Sequence, residues 1–266
     1  MKKKIKVIIL RTGGTNCDRE TAHACEMAGG AAERVHVNQL IRGERKLGDY
    51  QFMVIPGGFS YGDDISAGRI LANELRFKLG DELQKFVADG KPVLGICNGF
   101  QVLVKTGLLP GLNGKPRKKS QQATLFTNDS ARFECRWVFL KRTAVSHCIF
   151  THGLPETITL PVAHGEGKLI FDSEETRSDV LKKGQAVFRY VDSGGNLAGY
   201  PHNPNGSEDN IAGICDPTGL VFGLMPHPER HIFPHHHPRW SRGEAPSLPH
   251  GLPLFRNAVR YAATEL

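Results

Sequence analysis

Short apolar runs alternate with stretches of helical periodicity through the first half of the chain. Ile5–Leu10 is an almost unbroken apolar run that reads as a first strand, and it ends in the polar, Gly-rich loop 11–16. Asp18–Ala28 follows as a predicted helix closed by Gly29 and Gly30, then Arg34–Val37 as a short strand. Phe52–Ile55 is a buried strand ending at Pro56-Gly57-Gly58. The segment Ile65–Leu75 carries apolar residues at 65, 70, 71 and 75; the next carries them at Leu79, Leu83, Phe86 and Val87. That second stripe is the i, i+4, i+7, i+8 spacing of one helix face. Val93–Ile96 is a further strand, and Phe100–Thr106 continues as helix up to Gly107. Strands that alternate with helices predict a parallel sheet covered on both faces. Binding loops in such sheets gather at the carboxyl ends of the strands, so the loops 11–16, 56–63 and 95–99 should converge on one edge.

The second half changes pattern. Phe133–Leu140, Thr157–Pro161, Leu169–Phe171, Ala186–Tyr190 and Leu220–Met225 read as antiparallel strands, with turn signals such as Asp192-Ser193-Gly194-Gly195-Asn196 between them. Leu254–Ala263 reads as a closing helix. With no composition break and no repeat, residues 1–266 are expected to form one α/β domain with a mixed sheet.

Composition narrows the setting. Hydrophobic residues make up 39% of 266, enough for a sizeable core. The 34 Lys and Arg against 27 Asp and Glu give +7, spread along the chain, with the densest stretch at Lys115-Pro116-Arg117-Lys118-Lys119. That stretch reads as a solvated loop, with an acidic partner or phosphate ligand as the alternative. No nucleic-acid motif is present, and no run approaches the roughly 20 apolar residues of a membrane span. The apolar run behind the basic Met1–Lys4 is too short for a signal peptide. The six cysteines (17, 25, 97, 135, 148, 215) form no CxxC pair, which favours reduced thiols and a cytoplasmic setting.

Candidate chemistry centres on Lys91-Pro92-Val93-Leu94-Gly95-Ile96-Cys97-Asn98-Gly99. A nucleophile elbow is a tight strand-to-helix turn whose central residue is strained and whose neighbours lack bulk. Gly95 and Gly99 meet that demand, and a helix starting near Asn98 would set Cys97 at a positive dipole end that favours thiolate. The bland alternative is a buried cysteine in a Gly-flanked turn. A thiolate also needs a proton shuttle and a group to orient it. Among 12 histidines, His227 stands out in Met225-Pro226-His227-Pro228-Glu229, where the prolines enforce an extended segment. Two residues apart in such a segment, His227 and Glu229 project to one side, so Glu229 can fix the imidazole tautomer. Taken alone, His-Pro-Glu is more often an ordinary surface turn.

Together these stretches resemble a class I glutamine amidotransferase, in which Gly-x-Cys-x-Gly-x-Gln carries the nucleophile and Pro-His-Pro-Glu the other triad members. Arg11–Asp18, Gly57-Gly58-Phe59-Ser60-Tyr61-Gly62-Asp63-Asp64 and Ala163-His164-Gly165-Glu166-Gly167-Lys168 are similar to the glutaminase components of phosphoribosylformylglycinamidine synthases. The resemblance runs through nearly the whole chain. It departs at Thr12-Gly13, where Ala-Pro is common, and in a longer Pro- and His-rich segment, 231–253.

The resemblance implies a three-layer class I fold with a mostly parallel central sheet, helices on both faces and additional antiparallel strands. It implies Cys97 as nucleophile, His227 as proton shuttle and Glu229 as its orienting group. Backbone N–H groups at Gly58 and Asn98 would hold the oxyanion, and Gln101, Phe59 and His164 would contact L-glutamine. It implies a large ATP-using synthetase partner that takes the ammonia, with or without a small accessory subunit, and that converts formylglycinamide ribonucleotide to its amidine. No GxxxxGK[ST] loop is present, so ATP and magnesium are expected on that partner, and no metal or other cofactor on this chain. The rivals are an amidotransferase subunit or stand-alone glutaminase serving another acceptor, an idle scaffold subunit, and a zinc module on His231, His235, His236 and His237 with a nearby cysteine. Consecutive histidines suit a tetrahedral zinc site poorly.

Overall fold

The apolar runs of the first half become strands and the periodic segments become helices. In chain order these are β1 (Lys6–Arg11), α1 (Asp18–Met27), β2 (Ala31–His36), α2 (Val37–Ile41), β3 (Phe52–Ile55), α3 (Arg69–Lys78), α4 (Gly80–Ala88), β4 (Val93–Ile96) and α5 (Asn98–Thr106). The second half adds β5 (Ala123–Phe126), β6 (Glu134–Arg142), β7 (Thr157–His164), β8 (Lys168–Phe171), α6 (Glu174–Lys182), β9 (Ala186–Val191), β10 (Ile211–Cys215), β11 (Val221–Leu224) and α7 (Leu252–Glu265). The computed structural model describes residues 4–112 and 121–266, so the basic stretch 115–119 lies outside the described residues.

Nine strands form one sheet in the order β2-β1-β3-β4-β11-β10-β9-β6-β7, and β5 and β8 form a separate antiparallel ribbon. From β2 to β11 neighbours run parallel; from β11 to β7 they run antiparallel. The central strands are buried on both faces, with Val7, Ile8, Ile9, Phe52, Val54, Val93 and Leu94 fully inaccessible, as a sheet between two helical layers requires. α1 packs with α7 on one side, and α3 with α5 on the other.

Three expectations are corrected. The strand Leu220–Met225 is not simply antiparallel: β11 pairs parallel with β4 and antiparallel only with β10. Ile65 is 85% exposed and no part of a helix face, because the loop runs to Gly68 in the left-handed conformation before α3 begins. The strand expected at Arg34–Val37 is β2, in register with the whole of β1, and Val37 already opens α2, capped by the His36 ring. Four elements went unread: α2, β5, β10 and α6, the last a largely polar helix that buries only Thr176 and Val180 and is capped by Ser173.

Candidate active site

Parallel pairing of β4 with β11 brings together two residues 130 positions apart (227 − 97). Ile96 lies beside Leu224, and the Cys97 N–H donates to the Leu224 carbonyl at 2.8 Å. The next residues of each strand therefore leave the sheet side by side, one as the Cys97 turn and the other as Met225-Pro226-His227.

Cys97 has φ 51° and ψ −105°, a conformation that side-chain-bearing residues rarely adopt, and it caps α5. Such strain costs about 1–3 kcal/mol and persists only where its surroundings enforce it. Here they do: a Cβ on Gly99 would run into the Ile55 carbonyl of β3, so the helix can start this close to the sheet only with glycine there. The thiol is 6% exposed, and its Sγ lies 3.6 Å from the Ala163 carbonyl on β7. The His227 N–H donates to the Pro161 carbonyl at 2.8 Å, so the far edge of the sheet curls back over the site.

His227 and Glu229 are both buried, with His227 Nδ1 2.6 Å from Glu229 Oε1. They meet as expected, although the segment is not extended throughout: His227 is, and Pro228–Arg230 forms a short 3-10 turn. Burial opposes charge on the imidazole. The Glu229 carboxylate, the Cys97 thiol and the Cys17 thiol outweigh it and hold His227 well above the ordinary imidazole range. His227 Nε2 is buried without a hydrogen-bond partner among the described residues.

The three Gly-rich loops converge. Thr15 bridges Gly58, the Cys17 N–H donates to Gly57 O at 3.3 Å, and the Phe59 N–H donates to Gly14 O at 2.9 Å. Gly57 lies directly under the catalytic candidate ring: a Cβ there would stand 2.7 Å from His227 Cε1. Asn98 ties the loops to the elbow, since its Oδ1 accepts from Ser60 Oγ at 2.6 Å and its Nδ2 donates to Asp63 and Gln101, each at 2.9 Å. Gln101 Nε2 in turn donates to the Glu166 carbonyl at 2.6 Å, pinning the 164–167 loop. Phe59 is 46% exposed, its ring 6.4 Å from that of Phe133. His164 is buried and faces Asn128 Oδ1 through Nδ1 at 3.1 Å; burial and nearby His227 push its pKa down to about 3.

Sequence reasoning missed several members. Ser60 and Asp63 fix Asn98, Asn128 fixes His164, and Cys17 and Arg230 contact each other beside the triad. Only the Gly-Phe-Ser-Tyr-Gly-Asp-Asp run signalled the first two, and it did so without roles. Among the described residues, the histidines at 231 and 235–237 bring no three donor atoms together; the one such group is Cys17, His227 and Glu229.

Residues 4–262 match the model of the CobB/CobQ-like glutamine amidotransferase domain. The chain belongs to the glutamine amidotransferases. This amidotransferase is 49% identical over 260 residues to the phosphoribosylformylglycinamidine synthase subunit PurQ of Dehalococcoides mccartyi, covering 97% of this chain and 98% of the relative. It is 46% identical to the PurQ subunit of Archaeoglobus fulgidus, covering 98% of each. Among solved structures, PurLQS from Thermotoga maritima aligns with a TM-score of 0.73 at 31% identity, over 97% of this chain and 99% of that one. The three-layer amidotransferase fold expected from the sequence is the fold observed. No helix among the described residues is long and apolar enough to cross a membrane.

Proposed function

We propose that residues 1–266 act as one cytoplasmic amidotransferase domain, the glutaminase subunit of a phosphoribosylformylglycinamidine synthase. In this reading it hydrolyses L-glutamine on Cys97 and delivers ammonia to an ATP-using synthetase in purine biosynthesis. The observation that carries the chemistry is the strained elbow: Cys97 at the start of α5, beside a buried His227 locked to Glu229 at 2.6 Å. The acceptor rests on the likeness to the PurQ subunits.

Cys97 Sγ attacks the side-chain amide carbon, and the tetrahedral oxyanion is held by the N–H groups of Gly58 and Asn98. Loss of one such donor costs about 3–4 kcal/mol in the transition state. The raised pKa of His227 keeps it protonated against the thiolate, ready to give its proton to the departing ammonia. It then accepts a proton from the water that splits the glutamyl thioester. Glu229 holds the tautomer through Nδ1. His164, kept neutral, donates Nδ1–H to Asn128, so its buried, unpartnered Nε2 offers a lone pair to substrate N–H groups. Gln101 and Phe59 complete the glutamine pocket. ATP and magnesium belong to the partner in this reading.

The test is azaserine labelling followed by peptide mapping. Labelling confined to Cys97, and blocked by glutamine, is the expected result. Labelling elsewhere, or none in a chain that hydrolyses glutamine, contradicts the assignment.

A further inference from the structure

His227 has a second sulfur neighbour. The Cys17 side chain is 1% exposed; its thiol donates to Asn16 Oδ1 at 3.2 Å and accepts from Arg230 Nη2 at 3.1 Å. The position of a Cβ on Gly57 would be 2.7 Å from His227 Cε1 and 3.3 Å from Cys17 Sγ, so thiol and imidazole border one space that glycine leaves unfilled. Glu229 Oε2 is buried with no hydrogen-bond partner among the described residues. One donor atom each from Cys17, His227 and Glu229 lies within 4.8 Å of the other two.

Sulfur, imidazole and carboxylate together form a zinc-type donor set, and three protein ligands with one open position is a common zinc arrangement. Ligands about 2.0–2.3 Å from a tetrahedral zinc lie roughly 3.3–3.8 Å apart, so the group needs to contract by no more than about 1–1.5 Å. We propose that Cys17, His227 and Glu229 form an inhibitory site for a thiophilic divalent cation, Zn²⁺ in the first instance. The ion displaces two protons to solvent, the Cys17 thiol proton and one ring proton of the His227 imidazolium, and takes the lone pair that the second one frees. Bonding through Nδ1 breaks the Glu229 hydrogen bond; bonding through Nε2 occupies the lone pair needed for proton transfer. In either case the imidazole stops shuttling protons. Thiolate and carboxylate cancel the ion's charge, and Arg230 remains paired with Glu20 at 3.0 Å. The inhibition rests on the proposed role of His227, whereas the binding does not.

The experiment titrates Zn²⁺ into the purified, reduced full chain by calorimetry, with glutaminase activity followed in parallel and chelator added at the end. The expected result is one zinc per chain, activity lost as the site fills, and activity restored by chelation. Cys97→Ala should still bind zinc. Cys17→Ser should bind at least about 10–100-fold more weakly, and the fraction of its own zinc-free activity that remains should be unaffected at zinc concentrations that silence the wild type. Co²⁺ supplies a measurement that does not need Cys17→Ser to fold: a thiolate charge-transfer band retained in Cys97→Ala supports Cys17 as ligand. Zinc lost in Cys97→Ala but kept in Cys17→Ser overturns the proposal, as does zinc bound without inhibition. A wild type that hydrolyses glutamine but takes up no zinc overturns this site and leaves the catalytic reading standing. Zinc bound through Cys17 in a chain that never hydrolyses glutamine has the opposite meaning, upholding the ligand set and overturning the catalytic reading.

Discussion

His227 and Glu229 sit 2.6 Å apart in a site with almost no solvent, yet the two should differ in severity when replaced. In the proposed mechanism His227 moves protons, whereas Glu229 acts by holding the ring, and orienting groups are partly dispensable. His227→Ala is therefore expected to lower kcat for glutamine hydrolysis more than Glu229→Gln does, by a further factor of about 10–100. Steady-state kinetics on folded variants check this; equal losses would mean that Glu229 does more than orient. The same scale explains what the sequence disclosed. Cys97, Gly99 and the His-Pro-Glu run were legible because an elbow demands small neighbours and a shuttle demands a partner. Cys17 was not legible, because nothing in Asn16-Cys17-Asp18 foretells that the loop folds back onto a histidine 210 residues further along (227 − 17).

Most elements could be read from periodicity because β1, β3 and β4 are largely apolar and each ends in a glycine-bearing loop. The miss that mattered was β11. A four-residue apolar strand carries no mark of its direction, and its register beside β4, from Val221 opposite Val93 to Leu224 opposite Ile96, is seen only in the fold. α6 was unread because its surface is almost wholly polar. The segment after the triad has a testable property at this scale. Thr159 of β7 is clipped by two imidazoles: His231 Nδ1–H donates to its carbonyl at 2.9 Å, and its N–H donates to His250 Nδ1 at 3.0 Å. Burial pushes the pKa of His231 down to about 4, with the neighbouring His250, His237 and His236 adding to the shift. A base with a depressed folded-state pKa is neutral in the fold and takes up a proton on unfolding. Stability is then full above the unfolded value near 6.5 and declines as pH falls toward 4. His231 alone should cost about 1–2 kcal/mol near pH 5. Urea unfolding should show the loss at acid pH, and His231→Gln should flatten the profile between about pH 6.5 and 5. A profile unchanged by that substitution would rule out His231 as a source.

At the scale of the whole molecule, the Gly-rich loops, the elbow and the 164–167 loop share one edge of the sheet. Phe59 and Phe133 stand there half-exposed, at 46% and 54%, with their rings in contact range. Tyr61 and Asp63 are engaged internally with Glu74 and Asn98, while Asp64 and Ile65 remain exposed. In the proposed reading, a synthetase seated on this edge would shift the Gly57-Gly58 peptide and so complete the oxyanion site. Coupling of that kind is typically about 1–3 kcal/mol, or 5–150-fold. Glutamine hydrolysis by the isolated chain should therefore be slow, and it should rise by that order when the synthetase and its ligands are added. An unchanged rate in a complex proven to form would reject the coupling.

In the proposed reading this chain makes ammonia on Cys97 for a partner's synthetase reaction. Reconstituting Cys97→Ala with the synthetase, and measuring amidine formation from glutamine and from ammonium in parallel, tests that assignment. Glutamine-dependent formation should fall by at least about 10³-fold, with ammonium-dependent formation close to that of the wild-type complex. Glutamine-dependent synthesis surviving in Cys97→Ala would contradict it.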